Sequence, residues 1–469
     1  MKKEDLKGKK VTVFGLGVNE GGVGTVEFLE RAGVKEIIVT DMKNREELLP
    51  SLTRLARYGN ITYVLGQHRP EDFLRTDLVI KNPAIPWTNE YVRLAESNGI
   101  QVEMDSGIFF DNCDNTIIGV TGTKGKTTTA SMIAHILKES GRGVAQVGIS
   151  RAPVLGMIGK IHPKDIVVFE LSSWRLSALG RLKRSPHIAV FTNFFPDHLN
   201  YYRSISAYRR DKQYLYSSQK KGDIVIADST LDFIREDSVP SEKIFFSSKE
   251  GERSQGVFFS GDEVVIVRDD KETVLFRTSD IRIPGGHILP DAIAAATAVF
   301  MAGVPASKIA SGLRTFRGVP HRLEFIAEKR DVSFYNDSAA TVPESAVLAL
   351  RSFDAPVIMI AGGSDKNLDF APLAEEIIRS AKGAVFLEGN GTERLLREIR
   401  SRLPEEDKKR RFETVSDMGK AVEFAFRSAE PGDIVLLSPG AASFGLFKNE
   451  FDRGEKFREA VAGIATGKK

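Results

Sequence analysis

Short apolar runs that end in glycine or in a polar residue, each followed by a helical pattern, recur through the whole chain. Val11–Phe14, Glu36–Thr40 and Leu78–Ile80 read as strands, and they end at Gly15, Asp41 and Asn82. A helical pattern from about Val23 to Ala32 lies between the first two. Farther on, Thr116–Val120, Asp165–Glu170 and Ile188–Phe191 repeat the pattern, with a helix over Ala130 to Leu137. Gly256–Phe259 and Glu263–Val267 read as a hairpin, followed by a strand at Thr273–Phe276 and an alanine-rich helix over Ala292 to Met301. Val332–Tyr335, Val357–Ile360, Ala384–Leu387 and Ile434–Leu437 form a last set with helical patterns between them. Strands alternating with helices predict mostly parallel sheets covered by helices.

Three blocks emerge, over 1–105, 106–318 and 319–469, in keeping with about one domain per 150 residues in a chain of 469. Lys+Arg 66 against Asp+Glu 63 leaves a net charge of +3, so no strong field points to nucleic acid. The basic runs Arg181–Arg184 and Lys408–Arg411 read as solvated faces. Cys113 is the one cysteine, which excludes an internal disulfide and predicts a reducing, cytoplasmic setting. No apolar run is long enough to cross a membrane, and the charged N-terminus lacks a secretory apolar stretch.

The strongest chemical signal is Gly122-Thr123-Lys124-Gly125-Lys126-Thr127-Thr128. It sits between a strand and a helix, where a phosphate-binding loop belongs. Glycines let backbone N–H groups curl around phosphate oxygens at a helix N-terminus. Lys126 is placed to reach terminal phosphates and the Thr127 hydroxyl to face Mg²⁺. The loop is the short GxxGKTT form, with Val120 where a longer phosphate loop has glycine.

Other residues leave alternatives open. Gly15-Leu16-Gly17 with Gly21, Gly22, Gly24 and Asp41 fits a nicotinamide or flavin site, a nucleotide-sugar site or a structural turn. Glu170 ends a strand and can hold Mg²⁺ or cap the next helix. His198 follows another strand end, with Asp197 beside it. Lys212 reads, on spacing alone, as a surface helix lysine.

Together, GTKGKTT, ELSSW, NFFPDHLNYY and YRRDK resemble the central ATP-binding domain of the Mur ligases. These are ATP-dependent amide-bond-forming enzymes that build the peptide stem of the bacterial cell wall. In the third block, Pro320–Glu324, Asn336–Thr341, Gly362–Lys366 and Leu437–Ser443 resemble the D-glutamate-adding members of that family. The resemblance spans essentially the whole chain.

That resemblance implies an α/β protein of three domains. They are a Rossmann-like N-terminal domain, a central P-loop ATPase-type α/β domain with a small β-sheet, and a C-terminal Rossmann-like domain. It implies UDP-N-acetylmuramoyl-L-alanine and glutamate as substrates, ATP and Mg²⁺ as cofactors, and a monomer. Gly15, Leu16, Gly17, Asp41 and Asn82 would receive the UDP substrate. Gly122, Thr123, Lys124, Gly125, Lys126, Thr127 and Thr128 would hold ATP, with Arg322 on the γ-phosphate and Asp337 on the ribose. Lys126, Glu170, His198 and Lys212 form the implied catalytic set. One Mg²⁺ would lie by Thr127 and Glu170, and a second by His198 and a carbamylated Lys212. Thr341, Lys366 and Ser443 would surround the glutamate carboxylates, with Phe447 or Phe451 packed over it.

Four places depart from the family's text. Ala339 stands where lysine is usual, and Gly148-Ile149-Ser150 stands where a Gly-Asn pair is usual. His287-Ile288-Leu289-Pro290-Asp291 lacks two usual asparagines, and Gly21 and Gly22 are extra glycines. Competing readings are a ligase for another amino acid such as L-glutamate, a ligase for another acceptor, and an inactive nucleotide-binding cell-wall protein. A dinucleotide oxidoreductase leaves the phosphate loop unexplained.

Overall fold

The computed structural model describes residues 1–18, 20–149, 152–198, 201–250, 256–285, 288–403 and 412–464. Ser150, Leu199, Asn200, His287 and Lys408–Arg411, all singled out in the sequence, lie outside the described residues.

Three sheets organise the chain. The first is parallel, in the order β3-β2-β1-β4-β5. Its strands are β1 (Lys10–Phe14), β2 (Glu36–Asp41), β3 (Ile61–Leu65), β4 (Leu78–Lys81) and β5 (Gln101–Met104). β4 is buried along its full length, as expected of a strand covered on both faces.

The second sheet has nine strands in the order β14-β13-β12-β11-β10-β9-β6-β8-β7. Its parallel part holds β6 (Ile117–Thr121), β7 (Val144–Val147), β8 (Ile166–Glu170), β9 (Ile188–Phe191), β10 (Ile224–Asp228) and β11 (Glu242–Glu250). β12 (Gly256–Ser260) pairs parallel to β11, and β13 (Glu263–Arg268) and β14 (Lys271–Arg277) then run antiparallel. The small sheet expected from the hairpin therefore continues the main one.

The third sheet runs β15-β16-β20-β17-β18-β19. It comprises β15 (Glu324–Lys329), β16 (Val332–Asn336), β17 (Val357–Ala361), β18 (Ala381–Leu387), β19 (Glu413–Val415) and β20 (Ile434–Leu437). Only the β15–β16 pair is antiparallel.

By backbone contacts the chain falls into two compact units. One contains Met1–Asp280 and Pro290–Arg314; the other contains Ile281–Leu289 and Thr315–Lys469. The first unit holds two sheets because one apolar cluster runs through both. Val13 and Val39 from the first sheet and Val147 and Phe169 from the second belong to it, with Val154 and Leu155. The third sheet has its own core on two faces, around Met359 and Phe386 on one and Ile360 and Val385 on the other.

Strand order reverses direction at β1/β4, around β6, and around β16/β20/β17. Ligands of open parallel sheets bind in the crevice at such points, outside the strand C-termini. Each crevice is flanked by residues singled out in the sequence. Gly15 and Asn82 follow β1 and β4, Gly122 and Glu170 lie at the ends of β6 and β8, and Asp337 and Ser438 follow β16 and β20.

Candidate active site

The central crevice is built on the phosphate loop. Gly122 and Gly125 have positive φ of 153° and 80°. A Cβ on Gly122 would collide with Thr192 Oγ1, and one on Gly125 with the Asp291 carboxylate. Glycine is therefore required at both positions for space as well as for torsion. Gly125 is the N-cap of the helix Lys126–Glu139, which turns its free N–H groups toward the loop.

The loop is laced to the segment after β9. Thr123 N donates to Asn193 O at 3.0 Å, Lys124 N to Asn193 Oδ1 at 2.9 Å, and Thr192 Oγ1 to Lys124 O at 2.7 Å. Phe195 N donates to Thr123 Oγ1 at 3.0 Å. Exposed Lys124 reaches Asp197 at 3.5 Å.

Two lysines converge on this loop. Lys126 Nζ donates to Gly122 O at 3.0 Å and to Thr123 O at 2.9 Å. Lys212 Nζ donates to the same Gly122 O at 2.7 Å and to Thr121 Oγ1 at 3.3 Å. Lys212 is 1% exposed, which corrects its reading as a surface lysine. It lies in the helix Ile205–Gln213, whose inner face carries only Tyr208 and Lys212 as buried residues. Burial and then the neighbouring Lys126 hold its pKa well below the ordinary lysine range, against the pull of Asp197 and Glu170.

Glu170 is half-buried at the end of β8, where β6 Val120 pairs with it. His198 is exposed, with a left-handed φ of 54°. Its N–H donates to Asp197 Oδ1 at 2.8 Å, and its ring lies 5.4 Å from the Trp174 ring centroid and 5.9 Å from that of Tyr208. Thr127 and Thr128 open the Lys126–Glu139 helix, half-buried.

Asp291 was noted in the sequence only as a departure from an asparagine motif. It lies in the helix Ile288–Met301, directly beneath Gly125. Burial pushes its carboxyl up to about 7, against the pull of Thr129 and Lys126.

At the first crevice, Gly15 and Gly17 have φ of 89° and 64°. Gly17 N donates to Asp41 Oδ2 at 2.8 Å, and Lys43 N to Asp41 Oδ1 at 2.9 Å. Asn82 Nδ2 donates to Gly15 O at 3.3 Å. Buried Leu16 sits between the two glycines. Gly22 lets the helix Glu20–Arg31 approach Leu16 O, where a Cβ would clash, whereas nothing in the structure explains Gly21.

In the second unit, Asp337 is buried and accepts from Ser438 Oγ at 2.7 Å and from Leu323 N at 3.2 Å. Burial pushes its pKa up to about 7, against Ser438, Leu323 and Arg322. Exposed Arg322 and Asp337 line one recess of about 150 Å³ with Ala339. Ser443 and Phe447 line a second, tight recess with Gly362 and Gly363. Thr341 is half-buried on the segment after β16.

Lys366 Nζ lies 5.2 Å from the ring centroid of Phe444, which is 58% exposed. Phe447 packs on the sheet core and Phe451 on His321, with ring centroids 5.5 Å apart. The exposed aromatic beside Lys366 is thus Phe444, a residue the sequence reading missed although it directly follows Ser443. Ile149, in the Gly148-Ile149-Ser150 departure, is buried.

Two glycine turns and a lysine pair, half-buried Lys126 with buried Lys212, set at sheet crevices describe a nucleotide-using enzyme, and sequence relationships agree. Residues 120–299 match the Mur ligase middle domain and residues 321–440 the Mur ligase, glutamate ligase domain. Residues 9–103 match the Mur ligase MurD-like, N-terminal domain. The chain is 40% identical to the UDP-N-acetylmuramoylalanine–D-glutamate ligase of Roseiflexus sp. (strain RS-1), over 97% of this chain and 99% of that one. It is 34% identical to the enzyme of the same name from Borreliella afzelii (strain PKo), over 98% and 99%. The fold is similar to that of UDP-N-acetylmuramate-alanine ligase MurC from Thermotoga maritima, with a TM-score of 0.57 at 18% identity over 97% of this chain and 100% of that one. The chain belongs to the Mur ligase family, and it is an enzyme of the ligase class. Among the described residues no helix is long and apolar enough to cross a membrane.

Proposed function

We propose that this chain joins D-glutamate to UDP-N-acetylmuramoyl-L-alanine with cleavage of ATP to ADP and phosphate, a step of peptidoglycan precursor synthesis. Two relatives named for that activity align along almost its whole length. The single observation that carries the chemistry is the pair Lys126 and Lys212 on Gly122 O, with Glu170 acting on Lys212.

Residues 1–105 take the UDP substrate, 106–318 take ATP, and 319–469 take glutamate. ATP transfers its γ-phosphoryl group to the free carboxylate of the L-alanine. The amine of D-glutamate attacks the acyl phosphate, and the tetrahedral intermediate collapses to amide and inorganic phosphate. Every reactant is an anion, so the site needs cations placed in advance. Lys126 leaves its loop carbonyls for the terminal phosphates, and Arg322 covers the γ-phosphate. Asp337 holds the ribose. Thr341, Lys366 and Ser443 hold the glutamate carboxylates.

Among the described residues no three His, Cys, Asp or Glu side chains gather as a ready metal cage. Thr127 and Glu170 nevertheless offer the hard oxygen donors that Mg²⁺ prefers, and Mg²⁺ commonly completes its shell with substrate phosphates. The residues fit that ion, with His198 and Lys212 near a second one. Bound there, Mg²⁺ neutralises charge on the phosphoryl group. Lys212 is suited to carbamylation, because its depressed pKa favours the neutral amine that reacts with CO₂.

The test is ADP release from ATP with UDP-N-acetylmuramoyl-L-alanine and either enantiomer of glutamate. Release with the D form alone is expected. Release only with L-glutamate, or with neither, overturns the reading.

A further inference from the structure

Lys81 ends β4 and is 1% exposed. Among the described residues no carboxylate lies within ion-pair distance of its Nζ. A buried ammonium without such a partner is costly. If the position served packing alone, an apolar side chain of the same length would serve it better.

What Lys81 holds is specific. Its Nζ donates to Ile85 O at 2.8 Å and lies 4.3 Å from the centroid of the Trp87 ring. Ile85 and Asn82 support the glycine turn after β1. A Cβ on Gly15 would stand 3.0 Å from Asn82 Cβ and 3.1 Å from Ile85 Cδ1. The segment folds on itself as Ala84 N donates to Asn82 Oδ1 at 3.0 Å. Its far end is pinned to the ATP-binding part of the same unit. Trp87 Nε1 donates to Ser177 Oγ at 2.8 Å, and Arg181 Cζ lies 4.1 Å from the centroid of the Trp87 ring.

We propose that Lys81 is a positioning residue for the sugar-nucleotide acceptor: its ammonium fixes residues 82–87 and, through them, the Gly15–Gly17 turn that takes the UDP group. This rests on the proposed function, in which that turn and Asn82 receive the UDP substrate. The charged groups acting on Lys81 come from four packed helices. Asp105, Asp211 and Glu96 favour its charge and Arg181 opposes it, while burial, the largest influence, pushes its pKa down to about 7. The folded-state value is below that of a free lysine. The charge therefore costs stability below about pH 7, and that cost fades as pH rises.

The experiment compares wild type, Lys81→Met and Lys81→Arg. Its readouts are acceptor binding by titration calorimetry with UDP-N-acetylmuramoyl-L-alanine, KM for acceptor and for ATP, and Tm. Lys81→Met is expected to weaken acceptor binding about tenfold, the scale of one lost charge-assisted hydrogen bond. Its KM for ATP should stay within about twofold, and its Tm at pH 6 should hold or rise. Lys81→Arg should recover part of the affinity. The ratio of wild-type to Lys81→Met kcat/KM for acceptor should fall above about pH 7, since groups common to both cancel in it.

Unchanged acceptor affinity in folded Lys81→Met overturns the proposal, as does a parallel rise in both KM values. If Lys81→Met fails to fold, Lys81→Arg and the wild-type pH profile decide: a profile flat from pH 6 to 9, an interval of about three units around the titration, overturns it. Wild type that binds no acceptor at all fails the functional reading instead.

Discussion

Two glycine turns in the first unit use the same backbone grammar for opposite chemistry. After β1, Gly15-Leu16-Gly17 closes around a carboxylate, with Gly17 N bonded to Asp41. After β6, Gly122–Gly125 closes around ammonium groups, with Lys126 and Lys212 on Gly122 O. Both turns follow a buried parallel strand and open a helix. Strand, turn and helix supply N–H groups and a crevice; the neighbouring side chain decides what is bound. A carboxylate fixed beside a turn suits hydroxyl and amide donors, whereas ammonium groups suit phosphate oxygens.

The comparison breaks most completely at Lys126. Lys126→Ala should lower kcat by about a thousandfold, the scale of losing a preorganised charge at a transferring phosphoryl group, with acceptor affinity by calorimetry unchanged. Turnover at the wild-type rate would contradict the role of the cationic turn. Lys212→Ala should come next, with a loss of about a hundredfold partly restored by a short carboxylate such as formate. Near-normal activity without rescue would remove carbamylation from the account.

Asp41→Ala attacks the other turn. It should raise KM for the acceptor about tenfold, the cost of a charge-assisted hydrogen bond to a ligand, and leave KM for ATP unmoved. A shift in KM for ATP would mean that the two turns are not chemically separate. The smallest effect belongs to Asp291→Asn. Because folding raises the Asp291 pKa from 3.8 to about 7, the folded state holds an extra proton between those values. Its contribution to stability is full at low pH and is lost as pH rises toward 7. Denaturant midpoints of wild type minus Asp291→Asn should therefore fall from pH 4 to pH 7, a range of about three units, and level off beyond it.

Both turns were legible in the sequence because strand, glycine and helix are local signals. So were the strand-end residues Asp41, Asn82, Glu170 and Asp337. The members that escaped are those whose role depends on remote contacts. Asp291 meets Gly125 across a long stretch of chain, and only the closed fold brings them together. Lys212 shows its burial only when its helix packs, because seven positions that are not buried outvote two buried ones in a helix of nine. Short strands such as β5 and β7 lacked a clear apolar run and were found by pairing alone. The continuity of β11 with β12 is likewise a matter of partner choice, which a hairpin pattern does not specify.

The chain has two tryptophans, and the fold distributes them with economy. Trp87 has Lys81 and Arg181 against its ring on the segment that supports the Gly15–Gly17 turn, and Trp174 stands beside His198. Indole emission responds to nearby charge, so the protein comes labelled at both stations. Replacing either ring with phenylalanine leaves a single indole, and the order in which acceptor and nucleotide arrive becomes something one can watch in a stopped-flow trace.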